Sequence, residues 1–233
     1  MKSFLVCLTT IASAVFLFVF LFYNGRIRFN YPDKDEFPLL GIDISHHQGK
    51  IRWEELRTEN ISFVIIKATE GANYKDQKFL DNWTNSKKGD YKTGAYHFYR
   101  LCKNGKEQAE NFISVVPRSE ENLPPAVDLE FGGNCKTDKS KEKILSEIKE
   151  FLYAVESHYQ KKPIIYATNE FYEEFLVKEF KEYPIWIRDL FKRPELDGRN
   201  WTIWQFANRA HLKGIDGFVD LNVINGKSMQ ILQ

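Results

Sequence analysis

The chain has 233 residues, and its 33 Lys and Arg nearly cancel 32 Asp and Glu, leaving a formal net charge of +1. That balance offers no basic face for nucleic acid, so no nucleic-acid partner is expected. The length is enough for a single domain with an ample core.

The first element is apolar. Residues 3–23 carry no charge, and a helix of that length crosses a hydrocarbon layer of about 30 Å. The run exceeds the ~7–15 residues of a signal h-region, and no small-residue cleavage site follows Tyr23. Ala12-Ser13-Ala14 has suitable residues but lies in mid-span. Residues 1–23 are therefore expected to be an uncleaved anchor meeting the membrane through residues 3–23. A cleaved signal peptide, for which Lys2 is suited, is the alternative and would leave a secreted protein. Lys2 lies on one side of the span and Arg26 and Arg28 on the other, so flanking charge does not set its orientation. Residues 24–38, polar and interrupted by Pro32, read as a stalk.

From residue 39 to 233 apolar runs alternate with turn and helix signals. Strands are expected at 39–44, 63–68, 92–99, 125–131, 163–167, 185–187, 202–206 and 218–223. Most are unbroken β-branched or aromatic runs, as in parallel strands covered on both faces. Helices are expected at 53–58, 77–87, 106–116, 140–159 and 171–180. The clearest is 140–159, with Ile144, Ile148, Phe151 and Val155 on one face and Asp138 or Ser140 as its cap. Beyond Ile185, Pro194, Gly198, Gly214 and Gly217 leave no room for another long helix. Eight strands with about five helices predict an α/β fold: a TIM-like barrel, of (β/α)5(β)3 type, that has lost its last helices. Cys102 and Cys135 each follow a strand closely. If those strands are neighbours a disulfide is possible and fits an oxidising compartment, and otherwise both are free thiols.

Chemistry on such barrels gathers at the carboxyl ends of the strands. Those positions hold Asp43, Glu70, His97, Tyr99, Asp128, Glu130, Tyr166, Arg188, Asp189, Gln205 and Asp220. Helix capping accounts for a few acids there, but not for Asp128-Leu129-Glu130 within one strand. Residues two apart in a strand face the same way, roughly 6.6–7 Å apart at the backbone. Each carboxylate then opposes ionisation of the other. A proton donor beside an anionic companion is the equipment for cleaving a glycosidic bond. The apolar strand and Phe131 favour a protonated Glu130, whereas Asp128, if better hydrogen-bonded, stays anionic. Tyr99, Trp186 and Trp204 are candidate sugar-stacking surfaces, although aromatics more often supply core area. His97 reads as a structural histidine. His46 and His47 diverge in an extended segment, and no metal site is expected.

Several ordered motifs resemble glycoside hydrolase family 25 muramidases. They are Gly41-Ile42-Asp43-Ile44-Ser45-His46-His47-Gln48-Gly49 with Trp53, Phe63 through Gly71, and Gly94-Ala95-Tyr96-His97-Phe98-Tyr99. Val127-Asp128-Leu129-Glu130, Trp204-Gln205-Phe206 and Gly217-Phe218-Val219-Asp220-Leu221-Asn222 follow. The resemblance implies a lysozyme hydrolysing the β-1,4 bond between N-acetylmuramic acid and N-acetylglucosamine in peptidoglycan. It implies Glu130 as general acid, and Asp128 assisting attack by the substrate's 2-acetamido group. Asp43 and Asp220 would tune the pair, and Tyr166 would help position the acetamido group. Spacing leaves substrate assistance and direct attack by water both open. Arg188 departs from the small residue common at that place in the family, and a guanidinium there suits the carboxylates of a peptide stem. Trp186, Arg188, Trp204 and Gln205 are carried as substrate-binding candidates. No cofactor and a monomer are expected. Only the implied substrate places the domain outside the cytoplasm. The competing readings are a non-catalytic peptidoglycan-binding barrel and a metal-dependent hydrolase using Asp43, His97 and Asp220. The latter lacks a His-x-His at the first strand end.

Overall fold

The computed structural model describes residues 2–28 and 30–232. Its apolar N-terminal run forms helix α1 (Lys2–Tyr23). By length and composition Val6–Tyr23 is able to cross a membrane, a test that a signal sequence also passes.

The β-branched runs form β1 (Leu40–Ile44), β2 (Phe63–Glu70), β4 (Lys92–Phe98), β5 (Ala126–Leu129), β6 (Ile164–Thr168), β7 (Ile185–Arg188), β8 (Ile203–Ala210) and β9 (Val219–Ile224). A two-residue strand, β3 (Tyr74–Lys75), folds back on β2 as a side hairpin. Strands β1, β2 and β4 to β8 are joined by parallel pairings. Strand β1 pairs with both β2 and β9, closing the barrel.

Strand β9 runs antiparallel to β8 and β1. The reversal follows from chain length: residues 211–218 are all that join β8 to β9. A parallel return needs a crossover of a dozen residues or more.

Alternation sorts the strand residues into two layers. Phe63, Ile65, Ile164, Ile203 and Ile224 fill the closed interior with Leu123 and Ala126. Gly41 leaves room for the Phe63 ring, which a Cβ there would meet at 2.2 Å. Val64, Ile66, Val127, Ile165 and Ile187 point outward into the larger core. That core is covered by α2 (Trp53–Leu56), α3 (Phe79–Lys88), α4 (Gly105–Ile113) and α5 (Lys141–Tyr159).

Helix α5 begins where Ser140 accepts a hydrogen bond from the Lys143 amide, and it ends at left-handed Gln160. Its stripe of Ile144, Ile148, Phe151, Leu152 and Val155 is buried, each large side chain contributing about 1.5–3 kcal/mol by leaving water. The helix expected at 171–180 is instead a short α6 (Asn169–Phe171) running into a π-turn, Tyr172–Leu176. Phe171, Tyr172, Phe175 and Leu176 are all buried. That cluster satisfies the wider turn rather than a regular helical stripe.

The segment read as a stalk lies against the barrel. Phe37 is buried 5.6 Å from the Trp201 ring, and Tyr31 stands edge-on to Phe206 at 5.4 Å. Asn30 is buried and donates to the Phe206 carbonyl at 2.9 Å. Two aromatic side chains and one amide tie down a segment whose composition is mostly polar.

Candidate active site

Inward-facing residues above the apolar layer are mostly polar. Asp43, Lys67, Tyr96, Phe98, Asp128, Glu130, Tyr166, Trp186, Arg188, Gln205, Asn208 and Asp220 line one cleft of about 310 Å³, with His47 at its edge. A larger hollow of about 870 Å³ opens beside the C-terminal end of α5, lined by Glu156, Lys161, Lys162 and Arg199. It holds none of the cleft's acids, so the smaller cleft is the chemical site.

Asp43 and Asp220 stand opposite each other in the antiparallel β1–β9 pair. The Asp43 carboxylate accepts from Asn222 Nδ2 at 2.7 Å and Gln205 Nε2 at 2.9 Å. Burial raises the pKa of both acids, and Asp220 is pushed furthest by burial, the Asp43 charge and its hydrogen bond to Asp43. Two buried carboxyls in contact share a proton. Asp43, fed by two amides, is the easier of the two to ionise, and Asp220 the harder. Gln205 also accepts the Tyr166 hydroxyl at 3.0 Å, and Trp186 Nε1 donates to Asn222 Oδ1 at 2.8 Å. The back wall is therefore one hydrogen-bonded frame.

Asp128 and Glu130 face it from β5 and its end. Burial, and then the Glu130 charge, push the Asp128 pKa well above the usual carboxylate range. Its Oδ1 is buried without a hydrogen-bond partner. The condition under which the sequence favoured an anionic Asp128, better hydrogen bonding, is not met at this oxygen, which no amide reaches. Glu130 is raised mainly by burial and held back by Arg188, whose Nη1 lies 3.6 Å from Glu130 Oε2. Lys67 adds a second positive charge, paired with Glu70 at 2.7 Å and 4.8 Å from the centre of the Phe98 ring.

The loop after Glu130 is fastened. Asn134 Nδ2 donates to the carbonyls of Glu130 (2.9 Å) and Tyr99 (2.8 Å), and its Oδ1 accepts from the Leu101 amide. Cys102 and Cys135 form a disulfide with their Cα atoms 5.9 Å apart. The loops after β4 and β5 are neighbours because the strands are. Cys7 is the free cysteine, exposed on α1.

Strand alternation separates the remaining candidates. Tyr99 and Trp204 do not line the cleft; both are buried in the outer core, Tyr99 against Phe151 and Trp204 against Trp201 and Phe206. Their positions are one residue out of phase with Phe98 and Gln205, which do face it. His97 is outward too, 2.7 Å from Thr69 Oγ1 and 3.1 Å from Gln108, and burial lowers its pKa to about 3. Asp189 accepts from the Phe191 and Lys192 amides, as a loop cap. His46 and His47 sit in a 3-10 turn rather than extended chain, with ring centres 4.0 Å apart, and His46 Nδ1 is 2.7 Å from Asp76. Among the described residues no cluster of His, Cys, Asp and Glu is arranged to hold a metal.

Lys67, Tyr96, Phe98, Asn208 and Asn222 join the site without having been singled out. Counting in twos reveals four of them: Lys67 follows Ile65, Tyr96 precedes Phe98, and Asn222 follows Asp220. Irregular pairing in β8 between Gln205 and Ala210 conceals Asn208 from that count.

A sequence profile described as Glycosyl hydrolases family 25 matches residues 42–215. The chain is 35% identical over 196 residues to YegX of Escherichia coli K12, covering 82% of this chain and 71% of that protein. It is 31% identical over 205 residues to Lysozyme M1 of Streptomyces globisporus, covering 82% and 69%. A family 25 glycosyl hydrolase from Bacillus anthracis superposes with a TM-score of 0.81 at 38% identity, over 88% of this chain and 96% of that one. A family GH25 lysozyme from Aspergillus fumigatus gives 0.74 at 28%, over 83% and 96%. With the profile spanning most of the barrel and the acids of β1, β5 and β9 converging in its cleft, the chain belongs to glycosyl hydrolases family 25 and is a glycoside hydrolase.

Proposed function

We propose that the protein is a muramidase that hydrolyses the β-1,4 bond between N-acetylmuramic acid and N-acetylglucosamine in peptidoglycan. Family membership supports peptidoglycan hydrolysis in general. The observation that carries the finer reading is the buried Asp128 Oδ1 with no partner, two residues from a carboxyl whose pKa burial raises.

Glu130 gives its proton to the glycosidic oxygen as the bond breaks. Asp128 accepts the N–H of the 2-acetamido group on the sugar whose anomeric carbon is attacked. That hydrogen bond satisfies the orphan oxygen, favours its anionic form and aims the acetamido oxygen at the anomeric carbon. The ring so formed is opened by water, which loses its proton to the Glu130 carboxylate. The Asp43–Asp220 pair adds a single negative charge facing the developing oxocarbenium ion. Two attacks at one carbon return the original anomeric configuration, so retention is expected.

Helix α1, kept in the mature protein as a membrane span, would hold the barrel on the peptidoglycan side of the cytoplasmic membrane. The bond is tested by mass spectrometry of fragments released from purified peptidoglycan. Muramic acid at every new reducing end is the expected result; N-acetylglucosamine there would overturn the assignment.

A further inference from the structure

The end of α1 is locked to the rim of the barrel that carries the cleft. Arg209 follows Asn208 of the cleft wall, donates to the Tyr23 carbonyl at 2.8 Å and lies 3.9 Å over the Tyr23 ring. His211 Nε2 meets the Asn24 carbonyl at 2.9 Å. Gly25 is buried with φ +69, and a Cβ there would stand 1.7 Å from the Arg209 carbonyl oxygen. The end of the apolar helix is thus hydrogen-bonded directly to β8 and the residue after it.

Between α1 and the loop after β7 lies a cavity of about 160 Å³, lined by Phe18, Phe22, Arg28, Asn30, Leu190 and Phe191. Among the described residues its walls are apolar except for Asn30 and Arg28. Asn30 is committed to the Phe206 carbonyl. Arg28 is not committed: its Nε and Nη2 are buried without a hydrogen-bond partner, and its guanidinium is 5.5 Å from the centre of the Phe22 ring. Among the described residues no carboxylate pairs with it. Buried guanidinium donors left unpaired are costly, and their planar fork matches the oxygens of a phosphate.

Depth identifies the source of that phosphate. The apolar window of α1 ends at Tyr23, so with α1 spanning a bilayer Arg28 would stand where the headgroups begin. Tyr23, Tyr31 and Phe191 are exposed, Phe191 at 77% and lining the cavity, and tyrosine is a residue type that settles at a membrane interface. Arg26 and Lys192, close in sequence to Arg28 and Phe191, are exposed positive charges.

We propose that this seam is a phospholipid site. A headgroup phosphate sits on Arg28, its acyl chains run beside Phe18 and Phe22, and Phe191 enters the interface. The site rests on α1 being retained as a membrane span. Its consequence is that the β7–β9 flank of the cleft lies on the bilayer, so the enzyme works on glycan strands at the membrane surface.

The test uses the full-length chain. Native mass spectrometry of delipidated protein is followed as phosphatidylglycerol, diacylglycerol or inorganic phosphate is added. One phosphatidylglycerol retained per chain is expected, with diacylglycerol retained at least tenfold less and Arg28→Gln reducing retention at least tenfold. Equal retention by Arg28→Gln, equal retention of diacylglycerol, or displacement of the lipid by millimolar phosphate overturns the proposal. Phe191→Trp, a conservative change on an exposed loop, reads the same contact independently in nanodiscs. The emission it adds over the wild-type chain, whose five tryptophans set the baseline, should be quenched by brominated acyl chains, and an unquenched increment overturns the interface depth. Intact mass of the chain from membranes shows separately whether α1 persists, and its absence removes the site while leaving the fragment analysis of the muramidase untouched.

Discussion

The Arg188 guanidinium lies 3.6 Å from the Glu130 carboxylate and opposes its protonation more strongly than the Lys67 charge does. Burial raises the Glu130 pKa and Arg188 holds it down, so the acid is poised between them. A general acid works while protonated, and activity falls as pH rises through its pKa. Arg188→Ala should therefore move the alkaline limb of the kcat/KM profile to higher pH, and Arg188→Lys should move it less. An unmoved limb in Arg188→Ala would separate the guanidinium from the acid.

Glu130→Gln keeps shape but has no proton to give. Turnover of peptidoglycan should fall by about 10²–10⁴-fold, the usual worth of a positioned acid. Binding to insoluble peptidoglycan, measured by co-sedimentation, should persist. Undiminished release of reducing ends would remove Glu130 from the role.

Asp128→Asn should cripple turnover and stabilise the fold. The folded-state pKa of Asp128 lies well above its ordinary value because the side chain is buried. The native state therefore holds this proton more tightly than the unfolded chain. Stability is greatest below the unfolded pKa of about 3.9 and falls as pH rises from there through the folded pKa. Replacing the carboxyl by an amide removes that cost. A gain of about 0.5–2 kcal/mol at pH 7 is expected, typical of relieving strain at an active site. It should shrink toward pH 4. Thermal melts of both proteins at the two pH values check the sign.

Reduction of Cys102–Cys135 should lower the melting temperature. The bridge closes a separation of 33 residues, for which loss of unfolded-chain entropy predicts about 3–4 kcal/mol. It also ties the loop that Asn134 fastens to the Glu130 carbonyl. Activity should therefore fall under reductant at temperatures where the barrel is still folded. Thiol titration of unfolded, unreduced chain should find Cys7 alone.

Much of the barrel could be read from the chain because its signals are local. Unbroken runs such as Phe63–Glu70 and the capped stripe of α5 name their own elements, and Asp128-Leu129-Glu130 names its own geometry through a period of two. Misassignments arose where that period had to be counted from a reference residue. Tyr99 and Trp204 fall one place from Phe98 and Gln205, and one place in a strand is the opposite face.

The amino-acid sequence by itself determined where the eight barrel strands lie, that a paired acid stands at the end of one of them, and that an apolar helix precedes the barrel. Only the tertiary structure decided the partners. It reversed β9 so that Asp220 meets Asp43, left Asp128 Oδ1 without a donor, and pressed the polar segment after α1 onto the cleft rim. Side-chain direction along a strand is a nearest-neighbour property. Burial, proton sharing and an unpaired guanidinium depend on groups brought from 100 or more residues away, as Asp43 and Asp220 are, and no local pattern encodes them.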